Sequence, residues 1–312
     1  MQGCIEASVE EYLHKFNRYI HKAAPFGVKD ITGERVLQVF QRTKESVGGI
    51  DGWSPKELSL LPIGACNKIA IMFNQIENGA PWPKATEHAR VAFLEKEGAT
   101  VGKVMSYRPL TISASIYRSW ASLRLEDMEE WIRSWALPEM FAGVPGKGAN
   151  DAWYEVLTTI EEHQLERQPF CGGVADIAKF FDQLRRLLVY KVAEAAGMPT
   201  GVLLAYKAFA ENLRIYNSLA GGLGQPYARR CGIPQGCPLS MMLVALIMRP
   251  WVILMRSVPN IKAYILADDV LILAEGVSMV GKLAEALNAT HEYLYDMGAK
   301  VAPAKSYNFT SS

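Results

Sequence analysis

The sequence predicts an α+β fold, and three observations predict it. Apolar side chains recur at helical spacing through about the first 85 residues. From Pro169 onward, helix-length segments alternate with short apolar runs of strand length. The composition, 50% hydrophobic and 21% charged over 312 residues, is that of a globular chain able to bury one large core or two small ones.

Val36, Val39 and Phe40 share one helical face, as do Ile69, Met72, Phe73 and Ile76. Gly48-Gly49-Ile50-Asp51-Gly52-Trp53 and Pro81-Trp82-Pro83 interrupt them. Arg90 to Leu94 predicts a short strand, followed by a polar turn from Gly98 to Lys103. Tyr107-Arg108-Pro109 opens a segment in which Ile116, Trp120, Leu123 and Trp131 predict one long amphipathic helix. A second helix is predicted over Ala149 to His163, and a buried strand over Cys171 to Asp176. Helices over Leu184 to Ala195 and Thr200 to Glu211 precede strands over Arg214 to Ser218 and Pro226 to Arg230. An apolar helix from Leu239 to Ser257, a hairpin from Ile261 to Ala274, a helix from Ser278 to Met297 and a strand near Lys300 complete the prediction. No internal repeat or low-complexity tract interrupts the pattern.

Charge and cysteine usage exclude several classes. The 33 Lys+Arg nearly balance 32 Asp+Glu, giving a net charge of +1, so any site for a polyanion must be local. The five Cys contain no C-x-x-C pair and the five His no H-x-x-x-H, which argues against a zinc site or disulfide framework and for a reducing compartment. Met1 to Phe16 interleaves Glu6, Glu10, Glu11 and Lys15 with apolar residues, unlike a secretory signal. Only Met241 to Met248 is unbroken apolar sequence, because Arg249 and Pro250 follow, whereas a membrane helix needs about 20 apolar residues. The expectation is an intracellular protein, neither secreted nor membrane-spanning, in which the N-x-T sequons at Asn288 and Asn308 go unused.

Candidate chemistry begins at Tyr264-Ile265-Leu266-Ala267-Asp268-Asp269-Val270-Leu271-Ile272-Leu273. Two strand-like apolar runs meet here at adjacent carboxylates with no Gly or Pro between them. In a regular strand these carboxylates would face opposite sides, one of them into the core, where an unpaired charge is very costly. A tight turn would bring both to one edge, where divalent cations would neutralise them. A solvated hairpin tip is the alternative reading. A second strand-then-carboxylate run, Gly172-Gly173-Val174-Ala175-Asp176, offers a further ligand, and Asp182 is expected to cap the following helix. The third piece is the Gly/Pro turn Cys231-Gly232-Ile233-Pro234-Gln235-Gly236-Cys237-Pro238-Leu239-Ser240. Gln235 is a two-sided hydrogen-bonding group there, Gly236 allows close approach, and Ser240 is a candidate cap for the apolar helix.

In this order the pieces resemble the reverse transcriptases of non-LTR retrotransposons, with those of group II introns as more distant relatives. Gly49-Ile50-Asp51-Gly52-Trp53-Ser54 resembles that family's upstream G-x-D-G-W element. Lys96-Glu97-Gly98 and Tyr107-Arg108-Pro109-Leu110 resemble its fingers segment. Asp176 with Phe181 and Asp182 is similar to motif A, Gly232 to Ser240 to motif B, and Leu266-Ala267-Asp268-Asp269 to motif C. Gly298 to Ser306 is similar to the end of motif D and puts Lys305 at the family's lysine position.

The resemblance implies a right-hand polymerase architecture: a helical N-terminal and fingers region over residues 1–168 and an antiparallel palm over 169–312. The chain reaches Ser312 just after the motif D match, so a helical thumb is expected to be absent and template binding weak. The implied activity is RNA-directed DNA synthesis, with an RNA template, a DNA primer and dNTPs as partners. The implied cofactors are two Mg²⁺ ions, with Mn²⁺ as a substitute. Asp176, Asp268, Asp269 and the Ile177 carbonyl would hold them, and Lys305 would protonate the leaving pyrophosphate. Lys96 and Arg108 would neutralise the triphosphate, and Gln235 and Gly236 would line the nucleotide and template. Phe181 would exclude a 2′-hydroxyl, which favours DNA over RNA synthesis; Arg229 and Arg230 would touch the template backbone. Leu266 replaces the family's usual aromatic. The family also implies work in the nucleus. The alternative is a non-catalytic relic or nucleic-acid-binding module that keeps the fold.

Overall fold

The computed structural model describes residues 2–96, 98, 103, 106–219 and 221–311, with side chains from residue 5. Glu97 and most of the predicted turn from Gly98 to Lys103 lie outside the described residues. Helices α1 (Gln2–Phe16), α2 (Gly33–Arg42), α3 (Pro55–Leu58) and α4 (Ile63–Glu77) precede strands β1 (His88–Glu95) and β2 (Tyr107–Ser113). Next come α5 (Ser115–Asp127), α6 (Glu129–Trp135), α7 (Ala149–Leu165), β3 (Phe170–Asp176), α8 (Phe180–Gln183), α9 (Arg186–Ala195) and α10 (Thr200–Asn212). The order then runs β4 (Arg214–Leu219), β5 (Gly222–Leu223), α11 (Ser240–Arg256), β6 (Ile261–Leu266), β7 (Asp269–Glu275), α12 (Met279–Met297) and β8 (Tyr307–Thr310). Helices thus accompany small, mostly antiparallel sheets, as the α+β prediction has it.

The chain folds as two compact units, each gathered from separated stretches. One comprises Met1–Ala24, Glu130–Gly197 and Met241–Ser312; the other comprises Pro25–Glu129 and Met198–Ser240.

The first unit is built on an antiparallel sheet of order β6-β7-β3-β8. Successive strand residues face opposite sides. A Cβ on Gly172 would meet Leu273 and Phe309, while one on Gly173 would lie 3.1 Å from Leu287 of α12. Gly173 therefore lets α12 approach the sheet closely, while Gly172 leaves room for the side chains of its cross-strand neighbours. On the Gly172 face, Ala152, Val156 and Ile160 of α7 pack over Phe141, Phe170, Tyr264 and Leu273. Thr159 and Tyr264 share a 2.9 Å hydrogen bond there. On the other side, α11 is the buried helix its apolar sequence predicts, and its Trp251 Nε1 donates to Thr290 Oγ1 of α12 at 2.9 Å. The hydroxyls of Tyr12 and Tyr293 meet at 2.6 Å and tie α1 to α12. Among the described residues no helix is long and apolar enough to cross a membrane.

The second unit carries a sheet of order β2-β1-β4-β5, in which β1 pairs antiparallel with β2 and parallel with β4. Its core is aromatic: Trp82 packs edge-on against Tyr117, Trp120 and Phe209, and its Nε1 donates to Ala205 O at 2.8 Å. Arg124, 1% exposed, is held in this unit by Glu77 through two hydrogen bonds of 2.7 and 2.6 Å and by Asp127 at 2.8 Å.

Several predicted elements differ. The long helix expected from Ile116 to Trp131 breaks at Met128 (φ −91°, ψ 3°) into α5 and α6. Met128 is fully buried, so packing sets the break without a Gly or Pro to mark it. Tyr107-Arg108-Pro109 begins the strand β2 rather than a helix; β2 lies at the end of its sheet, where a proline without an N–H is tolerated. Over Pro226 to Arg230 only Tyr227 bridges Ile215, and the antiparallel strand partner of β4 is β5. Near Lys300 only Val301 bridges Ile177; the last strand is β8.

Candidate active site

In the first unit, the register of the central strands decides which carboxylates meet. β3 pairs with β7 so that Asp176 lies directly opposite Asp269, and β6 pairs with β7 so that Leu266 lies opposite Asp269. Residues directly opposite each other project from the same face, so Leu266, Asp269 and Asp176 form a row across three strands. Asp268 sits in the two-residue turn that joins β6 to β7. Ala267, the first turn residue, has φ +59°, a left-handed conformation that a two-residue hairpin demands and that glycine usually supplies. A non-glycine residue held there stores backbone strain, and such strain concentrates at functional sites.

The electrostatics follow from this packing. Burial raises the Asp268 carboxyl above its ordinary value, with the charges of Asp269 and Asp176 adding to the rise and Lys305 opposing it. Burial likewise raises Asp269, followed by the charge of Asp176, again opposed by Lys305. Lys305 Nζ stands 3.2 Å from Asp176 Oδ2 and is itself largely exposed. The Asp176 backbone is pinned on both sides: its N–H donates to Ser306 Oγ at 3.2 Å, and its carbonyl accepts from Ala302 N–H at 2.8 Å. Ser306 and Ala302 are positioning residues that the sequence marks only by their closeness to Lys305.

Among the described residues, no three His, Cys, Asp or Glu side chains already stand as a metal cage. The donor set nevertheless suits a hard divalent cation. It consists of carboxylate oxygens that repel one another in a half-buried setting, with one exposed lysine as counter-charge.

Beyond β3, Lys179 takes a left-handed conformation (φ +46°) and α8 follows at once. Phe180 is 1% and Phe181 8% exposed, their rings edge to face at 6.2 Å, so Phe180 takes the deeper core position and Phe181 the shallower. Ile177 is buried and bridges Val301. Asp182 does not cap the next helix: it lies within α8, and α9 starts only after Arg185.

The second unit carries the other candidates. Leu94 pairs with Arg108, and Lys96 N–H donates to Ser106 O at 2.9 Å. Alternation then puts Lys96 and Arg108 on the same face at one end of the β1–β2 hairpin, both exposed. The same β2 grips the turn ahead of α11: Thr111 N–H donates to Gln235 O at 2.8 Å. Gly236 has φ +110°, and a Cβ there would stand 2.5 Å from Thr111 O. Gly236→Ala is therefore expected to lower stability by roughly 1–3 kcal/mol, measured by urea denaturation. Ser240 is the first residue of α11, and its hydroxyl turns back to Pro234 O at 2.8 Å instead of capping the helix. Thr111 is the contact the sequence alone does not reveal.

Comparison with known proteins gives the family. The profile described as "Reverse transcriptase (RNA-dependent DNA polymerase)" matches residues 94–312. The chain is 25% identical, over an alignment of 302 positions that covers 90% of its length, to the probable RNA-directed DNA polymerase from transposon BS of Drosophila melanogaster, covering 32% of that protein. It is 24% identical, over an alignment of 318 positions that covers 97% of its length, to the RNA-directed DNA polymerase from mobile element jockey of the same fly, covering 33% of that protein. A retrovirus-related Pol polyprotein from a type-2 retrotransposable element of that fly is also 24% identical, over an alignment of 288 positions that covers 88% of this chain and 26% of the polyprotein. The chain thus spans about a third or less of the length of these curated relatives. With the profile covering well over half of it, the chain belongs to the reverse transcriptase (RNA-dependent DNA polymerase) family.

Proposed function

We propose that this chain is the RNA-directed DNA polymerase domain of a non-LTR retrotransposon, adding dNTPs to a primer 3′-hydroxyl on an RNA template. The observation that carries this reading is the pairing of Asp176 with Asp269 beside the strained Ala267–Asp268 turn. In this reading the unit with the carboxylates serves as the palm and the unit with the β1–β2 hairpin as the fingers.

Asp176, Asp268, Asp269 and the Ile177 carbonyl would hold two Mg²⁺ ions, with Mn²⁺ as a substitute. Bound there, such ions supply Lewis-acid chemistry, lowering the pKa of a hydroxyl and offsetting charge on a triphosphate. The protein's own part is positioning. Lys305 Nζ, already at the Asp176 carboxylate, is the proton donor for the departing pyrophosphate. Lys96 and the planar fork of Arg108 neutralise triphosphate oxygens. Gln235 and Gly236, held by Thr111, line the nucleotide and template, and Arg229 and Arg230 contact the template backbone. The nucleus is the proposed place of action.

Phe181, packed on Phe180 with 8% of its surface left open, is the residue proposed to exclude a 2′-hydroxyl. Phe181→Ala is expected to admit ribonucleotides, and unchanged dNTP/rNTP selectivity in primer extension would remove that role. The activity itself is tested by primer extension on an RNA template with Mg²⁺, using the chain within its own coding context. Synthesis that depends on Asp268 supports the polymerase; no synthesis leaves a non-catalytic nucleic-acid-binding module.

A further inference from the structure

We propose a second, metal-independent site in the first unit: a pocket for a phosphate-bearing small anion, pyrophosphate or a nucleotide, built from Arg185, Lys300, Ser8 and Tyr295. This goes beyond the polymerase reading and does not depend on it.

The pocket is a half-open cavity of about 300 Å³ between α1, the start of α9 and the C-terminal end of α12. Two of its lining residues are cations without a carboxylate. Arg185 donates through one nitrogen, Nη1, to Ser8 Oγ at 2.7 Å and to Asp296 O at 3.4 Å, both neutral acceptors. Its Nε and Nη2 have no acceptor among the described residues. Lys300 is exposed, and its ammonium has no partner among the described residues. The lining carboxylate Asp296 is held by Lys15 at 2.7 Å, a lysine it shares with Glu292, and Glu11 on the rim adds a further opposing charge. A half-buried guanidinium without a counter-ion retains most of its need for an anion, and a planar fork matches phosphate oxygens well.

Two further details make this a formed pocket rather than two surface cations. Gly298, at φ +89°, closes α12 so tightly on the arginine that a Cβ there would lie 2.7 Å from Arg185 Nε; only glycine leaves the guanidinium its place. Tyr295 is 72% exposed on the lining and offers a ring for a nucleobase to stack on. The site is separate from the carboxylates yet tied to them. Lys300 O accepts from Ala178 N–H at 2.8 Å, and two residues further along Ala302 N–H donates to Asp176 O at 2.8 Å. An anion on Lys300 therefore bears on the segment that leads to Lys305.

The test is isothermal titration of the purified chain in EDTA, without primer or template, with inorganic pyrophosphate in one arm and dATP in the other. Saturable binding is expected in at least one arm, weakened roughly tenfold by Lys300→Ala through loss of one charge-assisted contact. Arg185→Gln is expected to weaken it similarly. Because Arg185 also holds Ser8 and α12, Arg185→Lys serves as the folded control, keeping the charge while losing the fork. Tighter binding of dATP than of pyrophosphate, reduced by Tyr295→Ala, identifies the nucleotide as the ligand; equal binding identifies the phosphates alone. Asp268→Asn should leave binding intact, which keeps the outcome independent of the polymerase reading. No binding in either arm, or binding unchanged by Lys300→Ala, overturns the proposal.

Discussion

Asp268→Asn is expected to lower nucleotide addition by roughly a thousandfold, the scale of removing one preorganised electrostatic contact from a reacting centre. It is also expected to stabilise the metal-free fold. Burial, then the charges of Asp269 and Asp176, hold the Asp268 carboxyl above its ordinary value of 3.8. For an acid raised in the folded state, the folded protein keeps its proton to higher pH. Stability is then lost as pH rises from 3.8 through the folded value, and at neutral pH the ionised group opposes folding. The neutral amide removes that opposition. In EDTA at pH 7, Asp268→Asn should therefore melt a few degrees above the wild type, a gain that shrinks as pH falls toward 3.8. A residue kept for packing would show the reverse, losing stability on substitution. Undiminished primer extension by the variant would remove Asp268 from the reaction.

Glu77→Ala is expected to give the largest loss of stability, roughly 3–5 kcal/mol in urea denaturation, the scale seen when one partner of a buried ion pair is removed. Arg124 is 1% exposed; burial disfavours its charge, and the carboxylates of Glu77 and Asp127 outweigh that penalty and raise its pKa. Glu77 also accepts from Trp120 Nε1 at 2.7 Å, so its removal orphans an indole N–H inside the aromatic core as well. Glu77→Gln keeps an acceptor for Trp120 and should lose less. Equal losses in the two variants would mean that shape, not charge, holds this part of the unit.

Much of the candidate site is legible in the sequence because charge stands where the apolar pattern forbids it. The Asp268-Asp269 pair between two strand-like runs is such a violation, and the strand boundaries at Leu266 and Asp269 follow from it. The pairing of Asp176 with Asp269 is not legible, since it joins residues far apart in the chain whose local patterns say nothing of each other. The same holds for the parallel pairing of β1 with β4, and for Thr111 gripping Gln235. Pro109 misleads because proline suits both a helix start and an end strand, and only the position of β2 in the sheet decides. The break at Met128 leaves no mark because it arises from packing rather than from a breaker residue. Two interleaved units are likewise invisible to a reading that divides the chain once.

The hydrogen bond between Tyr12 and Tyr293 links residues 281 positions apart, and it has a consequence for synthesis. A nascent polypeptide leaves the ribosome with Tyr12 and Phe16 of α1 complete but without the helix whose Tyr293 they pack against. Those side chains stay in water, or with a chaperone, until α12 has been translated. Products of premature termination are thus expected to aggregate or to be degraded.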